Sequence, residues 1–348
     1  MERIGRNIQA VTKLRSEYEH EQYINDFEKE FAEYNGSGYA IAVNSGTTAL
    51  ELALKAAGVK ENDEVILPAY TYISTALAIS NLDAVPVFAD IKEHTLTLDP
   101  KEVEKKLTIR TKAIIPVHVH GNPCEMDGII RIVEKNNLAI VEDCSHAHGA
   151  EYKNKKVGNF GIGCFSCHTT KNFSGIGNSG LIAVNERATY ERIKRMLCVE
   201  NDPDLTLSKR APCRMDALQA AILKAKLPYL EKVTKKKRSI VAKYRKALPE
   251  GIQSQQEEEG SRHVYRDFVV STENRNELKR HLENAGLETK IRYTTPLHLT
   301  QYYKNLPHKR DDLQITQSLF NKLLWLPISY ALTDKEVSHV CNTIKCYR

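Results

Sequence analysis

Two residues near the middle of the chain, Asp143 and Lys171, have types and a spacing that suit covalent chemistry. Asp143 ends an apolar run, and Lys171 follows 28 residues later in a small polar loop that is rich in glycine. The amine of a lysine is a nucleophile only after it has lost its proton, so a reactive lysine is usually held where its pKa is lowered. The alternative is that Lys171 is one of 50 basic residues on a solvated loop and that Asp143 merely ends a strand.

Small polar residues surround the lysine. Ser166 and His168 lie before it, and Asn172 and Ser174 lie after it. A lysine and an acid in such surroundings are what a pyridoxal phosphate cofactor requires. The lysine forms a Schiff base with the cofactor, and the acid keeps its pyridine nitrogen protonated.

A second candidate binding element lies between Tyr39 and Leu54. An apolar run, residues 39–43, is followed by the small residues 44–48 and then by a helical pattern over residues 49–54. Free backbone amides and the helix dipole make the beginning of a helix suitable for an anion such as phosphate. The alternative is that the serine and the threonines of this turn only cap the helix.

Further candidate side chains follow two other apolar runs. Tyr72 comes after residues 64–67, and its ring could stack on a ligand or pack beside a helix. His118 and His120 come after residues 113–117. Two alternating histidines without a nearby pair of carboxylates are a poor metal site, so we predict no metal ion.

The order of the apolar segments predicts an α/β fold in which helices flank a mostly parallel sheet. Short apolar runs at 39–43, 64–67, 85–89, 113–117, 138–142 and 180–184 alternate with helical patterns, as is typical of such sheets. A chain of 348 residues is too long for one hydrophobic core. We therefore expect a large domain over residues 1–238 and a smaller α+β domain over residues 239–348, with a strand at 263–270 and a helix at 277–285.

Composition and charge exclude several classes of protein. The net charge of +6 is too small and too dispersed to indicate nucleic-acid binding, although it suits an anionic substrate. The first residues lack the apolar core of a signal peptide, and no apolar run is long enough to span a membrane. Cys164 and Cys167 form a C-x-x-C motif without a second pair at zinc spacing. We expect a cytoplasmic protein whose eight cysteines are reduced thiols.

The stretch VEDCSHAHGAEYKNKKVGNFG and the later FSCHTTKN resemble the DegT/DnrJ/EryC1/StrS family of sugar aminotransferases. This family belongs to the aspartate aminotransferase-like superfamily of pyridoxal phosphate enzymes, fold type I. The similarity is collinear from about Ile24 to Ile344. It implies pyridoxal 5'-phosphate as the cofactor, Lys171 as the residue that binds it covalently and moves protons, and Asp143 as the partner of the pyridine nitrogen.

The resemblance also implies roles for the other candidates. Tyr72 would stack on the pyridine ring, and His146 would lie near the ring oxygen. Arg214 lies in a stretch, residues 208–221, that is similar to the family's NYRMSELQAAI, and it would reach the cofactor phosphate of the other subunit in a homodimer. The residues expected to hold the phosphate within one subunit are Gly46, Thr47, Thr48 and Ser166. The full set expected to bind the cofactor is Gly46, Thr47, Thr48, Tyr72, Asp143, His146, Ser166, His168, Lys171 and Arg214.

The function implied by the resemblance is transfer of an amino group from glutamate or glutamine to a keto-sugar, nucleotide-linked, in amino-sugar biosynthesis. Two alternatives stay open. Related sugar dehydratases have histidine at the position of Lys171, so the lysine favours transamination. A regulatory member of the fold would need no catalysis. Residues 174–180 depart from the Gly-Glu-Gly-Gly turn of the relatives, and the substrate side of the site is therefore expected to differ.

Overall fold

The computed structural model describes residues 2–197, 213–306 and 313–347. The α-helices in these ranges are α1 Glu2–Val11, α2 Glu17–Asn35, α3 Gly46–Ala56, α4 Ile73–Ser80, α5 Pro100–Lys105, α6 Met126–Asn136, α7 Arg187–Leu197, α8 Ala217–Lys226, α9 Leu230–Arg245, α10 Arg275–Asn284, α11 Gln314–Leu319 and α12 Asp334–Lys345. The strands are β1 Tyr39–Val43, β2 Glu64–Pro68, β3 Val85–Ala89, β4 Thr111–Ile114, β5 Ala139–Asp143, β6 Glu151–Tyr152, β7 Lys155–Lys156, β8 Ile162–Ser166, β9 Gly180–Val184, β10 Gln253–Ser254, β11 Ser261–Arg262, β12 Phe268–Ser271 and β13 Leu323–Leu326.

Seven strands form the main sheet, in the order β1-β9-β8-β5-β4-β2-β3. Five neighbouring strands of this sheet, β8, β5, β4, β2 and β3, are parallel to one another. Strand β9 runs antiparallel to both of its neighbours, β1 and β8. This confirms the predicted α/β fold with a mostly parallel sheet. In such sheets ligands bind beyond the carboxyl ends of the strands, which here is the edge where Asp143 and Ser166 lie.

Helices cover both faces of the main sheet. Alternate residues of β1 therefore enter different parts of the core: Ile41 packs with Leu50 of α3, whereas Ala42 packs with Phe27 and Phe31 of α2. A strand that is buried on both faces needs apolar residues at every position, which explains the continuous apolar runs of the sequence.

A smaller α+β unit follows the main sheet. It contains the antiparallel sheet β10-β12-β13, and residues of α9, α10 and α12 such as Tyr244, Leu278 and Val340 pack in its core. The predicted domain boundary between residues 238 and 239 falls inside α9. That boundary stays a prediction.

The strand predicted over residues 263–270 is wrong in its first half, since β12 begins at Phe268. Tyr265 has a φ of +47°, which a side chain rarely adopts and which interrupts an extended strand. The amide of Arg266 donates to the carbonyl of His120 at 2.8 Å. This segment therefore uses its backbone to contact the main sheet's loops.

No helix was predicted in the first 22 residues, although Ile4, Ile8 and Val11 lie at helical intervals, and the structure has α1 and the beginning of α2 there. Besides α1, the helix α2 begins at Glu17 because Ser16 and Glu19 form a reciprocal capping box. It ends at Gly36, whose φ of +71° suits glycine. None of the helices in the described residues is long and apolar enough to cross a membrane.

Candidate active site

Lys171 lies in the loop between β8 and β9, and two contacts fix this loop. Phe173 is buried and its ring stacks on that of Phe31, with centroids 6.1 Å apart. The amide of Gly175 donates to the carbonyl of Cys167 at 2.8 Å and closes the base of the loop. The side chain of Lys171 is half-buried and faces a cleft of about 1320 Å³, which we call the lysine cleft.

The electrostatic surroundings of Lys171 favour loss of its proton. Burial and the nearby guanidinium of Arg266 lower the pKa of Lys171 to about 8, while the negative charges of Asp143 and Asp267 oppose this shift. The walls of the lysine cleft around the amine include Thr170, Asn172, Lys237, Arg266, Asp267 and Arg292.

Asp143 is the last residue of β5, and its carboxylate is held from two sides. One oxygen, Oδ2, accepts a hydrogen bond from the hydroxyl of Thr75 at 2.8 Å. The other, Oδ1, accepts from the amide of Ser145 at 3.0 Å. The side chain is almost fully buried. Its negative charge opposes the lowering of the pKa of Lys171.

Three strand ends meet at the beginning of α3. Gly180, the first residue of β9, pairs with Val43 of β1 on one side and with Ser166 of β8 on the other. A Cβ atom on Gly46 would lie 2.7 Å from the Cβ of Ser166, so glycine is needed for α3 to begin this close to β8. The amides of Gly46 and Thr47 belong to the first turn of the helix and have no acceptor within it. Together with the Ser166 hydroxyl they form a set of donors, the phosphate cup.

The capping alternative proposed for this turn is correct for Ser45. Its hydroxyl accepts a hydrogen bond from the backbone amide of Thr48 at 3.1 Å, and the hydroxyl of Thr48 donates one to the side-chain oxygen of Asn44 at 2.7 Å. Capping uses the third amide of the helix and the Thr48 hydroxyl, and it leaves the amides of Gly46 and Thr47 for a ligand. His168 bonds within its own loop, with Nδ1 3.2 Å from the hydroxyl of Thr170.

Tyr72 and His146 complete the predicted set near the carboxyl ends of the strands. Tyr72 is the residue before α4, and its side chain is 58% exposed, so its ring face is accessible to a ligand. His146 is buried, and its Nδ1 accepts a hydrogen bond from the backbone amide of His120 at 3.1 Å. Burial, helped by the charge of Lys171, holds the pKa of His146 well below its usual range. A neutral imidazole that accepts at Nδ1 carries its hydrogen on Nε2.

A buried network supports the far wall of the lysine cleft. His120 Nδ1 lies 3.0 Å from Asp267, and His120 Nε2 lies 2.9 Å from the hydroxyl of Tyr70. Asp267 also pairs with Arg266. Although burial opposes it, the hydrogen bond from His120 and the charge of Arg266 hold the pKa of Asp267 well below its usual range. Asp267 is therefore ionised beside the amine of Lys171.

A second buried lysine holds the residue next to Lys171. The ammonium group of Lys237 in α9 donates to the amide oxygen of Asn172 at 2.7 Å. The nitrogen of the same amide donates to the carbonyl of Val264 at 3.2 Å. Burial lowers the pKa of Lys237 to about 8. The loop of Lys171 is thus attached to α9 and to the segment before β12.

Two groups of buried side chains among the described residues lie close enough together for a metal ion: His118, Glu142 and Cys144, and His120, His146 and Asp267. Glu142, however, already accepts hydrogen bonds from three backbone amides and faces His118 at 3.1 Å. In the second group His120 and Asp267 are hydrogen-bonded as described above. We assign no metal to either group.

Arg214, like the other predicted cofactor-binding residues apart from Lys171, is not among the residues that line the lysine cleft. Its backbone pairs with Val43, and its Nη1 lies 3.7 Å from a carboxylate oxygen of Glu21 in α2. It lines a second cleft, of about 710 Å³. Residues 208–212 of the predicted crossing stretch lie outside the described residues.

Several residues that shape the site were missed by sequence reasoning. They are Thr75, Lys237, Arg266, Asp267 and Arg292. The pair Arg266–Asp267 did leave a signal, because two adjacent charges are unusual within an apolar strand pattern such as residues 263–270. The others lie in segments whose local patterns indicate only ordinary helices and loops.

Comparison with known proteins agrees with this site. The model of the DegT/DnrJ/EryC1/StrS aminotransferase family matches residues 2–345. The erythromycin biosynthesis sensory transduction protein EryC1 of Saccharopolyspora erythraea is 36% identical over 323 residues, which are 92% of this chain and 88% of the relative. The dTDP-3-amino-3,6-dideoxy-α-D-galactopyranose transaminase of Aneurinibacillus thermoaerophilus is 35% identical over 327 residues, which are 93% and 90%.

A solved structure shows the same likeness. DesV of S. venezuelae, in complex with a ketimine intermediate, matches with a TM-score of 0.90 at 32% identity, over 98% of this chain and 93% of that one. The family match extends over nearly the whole sequence, and both identities and fold agree with it. The chain therefore belongs to the DegT/DnrJ/EryC1/StrS aminotransferase family.

Proposed function

We propose that this aminotransferase moves the amino group of glutamate or glutamine to a nucleotide-linked keto-sugar in amino-sugar biosynthesis. Its class, a sugar aminotransferase, and its cofactor, pyridoxal 5'-phosphate, follow from the family to which the chain belongs. The observation that supports catalysis is that the pKa of Lys171 is lowered and that its loop follows β8, whose neighbour β5 ends at Asp143 and against whose last residue α3 begins.

The residues of the site fit this cofactor. The amides of Gly46 and Thr47 and the hydroxyl of Ser166 are donors of the kind that bind a phosphate at the beginning of a helix. Asp143, held by Thr75, offers a fixed carboxylate for the pyridine nitrogen.

The site residues also suit the chemistry. When bound, pyridoxal phosphate supplies a carbonyl carbon that accepts the amino group and a ring that withdraws electrons. With a pKa of about 8, Lys171 is present at neutral pH as both amine and ammonium, so it can take a proton from a substrate carbon and return it. Asp143 would keep the proton on the pyridine nitrogen. His146, neutral with its hydrogen on Nε2, is suited to donate a hydrogen bond to the ring oxygen.

Charge on the lysine cleft supports a nucleotide-linked substrate. Beyond Lys171 its walls carry Arg3 and Arg6 from α1 and Lys232 and Lys236 from α9. A diphosphate would be attracted to such a basic wall. The relative from A. thermoaerophilus is named for a dTDP-linked sugar, which agrees with this proposal.

A homodimer with shared sites is part of the proposal. The phosphate cup consists of amides and a hydroxyl, none of which is charged, whereas a phosphate monoester carries close to two negative charges. In its own chain the side chain of Arg214 lies near Glu21 of α2. It would supply the positive charge to the cup of the other subunit.

The test is a half-reaction. Purified protein in its pyridoxamine phosphate form is mixed with a panel of keto-sugars that are free, phosphorylated or linked to a nucleotide, and the return of the visible cofactor band is followed. We expect the band to return only with a nucleotide-linked member. A protein that never shows a cofactor band would support a regulatory role instead.

A further inference from the structure

Arg292 is a charged residue of the lysine cleft whose function the proposal so far does not use. Its side chain is half-buried and lines the cleft together with Lys171. Its Nε is buried, and the guanidinium makes no hydrogen bond or ion pair within residues 2–197, 213–306 and 313–347. An arginine keeps its charge at every physiological pH, so partial burial without a partner is costly.

The backbone on both sides of Arg292 is fixed. Lys290 exchanges two backbone hydrogen bonds with Trp325 of β13, at 3.1 and 2.9 Å. Tyr293 has a φ of +54° and is held by ring contacts with Tyr70 and Trp325. A positive φ at such a bulky residue costs on the order of 1–3 kcal/mol and persists only where the surroundings impose it. Arg292 is thus presented to the cleft by a rigid segment.

The nearby carboxylates do not neutralise this arginine. Asp143 accepts hydrogen bonds from a threonine hydroxyl and a backbone amide, and Asp267 is engaged by Arg266 and a histidine. The Nε of Arg266 is also buried without an acceptor. Both arginines favour loss of the proton of Lys171. Two arginines thus face two carboxylates around the amine, and Arg292 is the arginine that has no acceptor within residues 2–197, 213–306 and 313–347, so it can accept an anion.

We propose that Arg292 binds the α-carboxylate of the amino-acid donor. This inference rests on the proposed function and adds to it the residue that recognises the donor. In an amino acid the α-carboxylate is attached to the same carbon as the reacting amine, so it must lie close to Lys171. In a nucleotide-linked sugar the diphosphate is attached at the anomeric carbon, away from the carbon that is aminated. The planar fork of an arginine matches both oxygens of a carboxylate.

The experiment compares two amine donors on one form of the enzyme. Holoenzyme in the pyridoxal form is mixed with L-glutamate, or with the nucleotide-linked amino sugar that the wild type deaminates fastest, and loss of the visible band gives the rate. For Arg292→Gln we expect the second-order rate constant with L-glutamate to fall about 10- to 100-fold, as for loss of a charged hydrogen bond. With the amino sugar we expect less than about a threefold change, because no carboxylate is present.

Two variants serve as controls. Lys290→Gln removes the same charge two residues earlier, from a side chain that is 52% exposed and pairs with Glu288. It should react like the wild type with both donors. Arg292→Lys keeps the charge but loses the fork, and it should restore part of the rate with L-glutamate.

A second readout needs no turnover. The holoenzyme is heated with 2-oxoglutarate or with its amide 2-oxoglutaramate, in which the α-carboxylate is the only charged group common to both. Both should raise the unfolding temperature of the wild type, and neither should raise that of Arg292→Gln. A loss confined to 2-oxoglutarate would move the contact to the side-chain carboxylate and overturn the proposal.

The remaining outcomes are also decisive. If Arg292→Gln slows only the amino sugar, the arginine binds the sugar nucleotide and the inference is wrong. Equal losses with both donors would make it a structural residue and overturn the inference as well. If Arg292→Gln reacts with L-glutamate as fast as the wild type does, the inference is wrong while the proposed function stands. A wild type that reacts with no amine donor overturns the proposed function itself.

Discussion

A lysine that moves protons to and from carbon must lose its ammonium proton easily and still be able to regain it. Lys171 meets both conditions because burial and Arg266 lower its pKa to about 8, while Asp143 and Asp267 limit the shift. Another lysine of the chain, Lys237, has a similar pKa but is hydrogen-bonded to Asn172. Lys171 differs in that its loop follows β8, the neighbour of the strand β5 that ends at Asp143.

Replacing Lys171 with Ala should abolish covalent attachment of the cofactor and turnover. Borohydride reduction of the wild type should add the mass of the cofactor to the peptide that contains Lys171, and the variant should show no such addition and no shifted absorption band. Lys101→Ala, which alters an exposed lysine of α5, should behave like the wild type. Sustained transamination by the Lys171 variant, free of wild-type contamination, would rule out the assignment.

Replacing Asp143 with Asn should leave a folded protein that still holds its cofactor but reacts slowly. The amide can keep the hydrogen bond from Thr75, yet it cannot hold the pyridine nitrogen protonated, so the single-turnover rate should fall at least about 100-fold. Cofactor content and circular dichroism should be unchanged. A rate within a few-fold of the wild type would mean that another residue faces the ring nitrogen.

Three elements that are distant in the chain converge on the loop of Lys171. Phe173 anchors the loop to α2, and Asn172 attaches it to Lys237 of α9 and to the segment before β12. Rigid support of this kind is needed because a small displacement of a reacting group is costly to catalysis. The buried ammonium group of Lys237 gives this element a dependence on pH.

Lys237→Met should change how stability varies with pH. The pKa of Lys237 is about 8 in the folded protein and 10.5 when unperturbed. Between these values the unfolded chain binds the proton and the folded chain does not, so this lysine makes stability rise with pH in that window. The wild type should therefore gain unfolding free energy relative to the variant, by at most about 1.4 kcal/mol per pH unit.

The measurement is the difference in thermal midpoint between cofactor-saturated wild type and variant from pH 7 to pH 10.5. The matched control is Lys236→Met, since Lys236 is the preceding, more exposed residue and lies 3.8 Å from Asp334. Its difference from the wild type should stay nearly constant. Parallel curves for wild type and Lys237→Met would show that the lysine titrates normally.

For the whole molecule the main question is whether one chain makes a complete site. The backbone of Arg214 pairs with Val43 at the end of β1, near the phosphate cup, but its side chain lies near Glu21 of α2 and does not line the lysine cleft. A shared site in a homodimer would reconcile these positions.

Mixing two inactive proteins, Lys171→Ala and Arg214→Ala, after reversible dissociation should restore activity. In each heterodimer one site would carry both changes, while the other would have intact Lys171 and Arg214, so activity should approach half per heterodimer. Mixing Lys171→Ala with Asp143→Asn should restore nothing, because these two residues belong to the same chain's site. If confirmed heterodimers of the first pair stay inactive, Arg214 serves its own subunit or lies outside the site.

Much of the fold and the centre of the site could be predicted from the sequence because they depend on local patterns. Apolar runs alternating with helical patterns determine the parallel sheet, and a strand followed by a small-residue turn places Gly46 at the beginning of a helix. Asp143 and Lys171 stand out by residue type and by the resemblance of their neighbours. Helix α1 was not predicted, although Ile4, Ile8 and Val11 lie at helical intervals in its sequence.

The tertiary structure decided what surrounds these residues. Thr75 lies 68 positions from Asp143, and Lys237 lies 65 positions from Asn172, yet each pair shares a hydrogen bond. Such contacts follow from chain topology and carry no local signal. The same holds for Arg266 and Arg292, whose charges act on Lys171 because the smaller unit closes one side of the lysine cleft. A residue's type can thus be read in sequence, whereas its pKa and its partners depend on which distant segments fold against it.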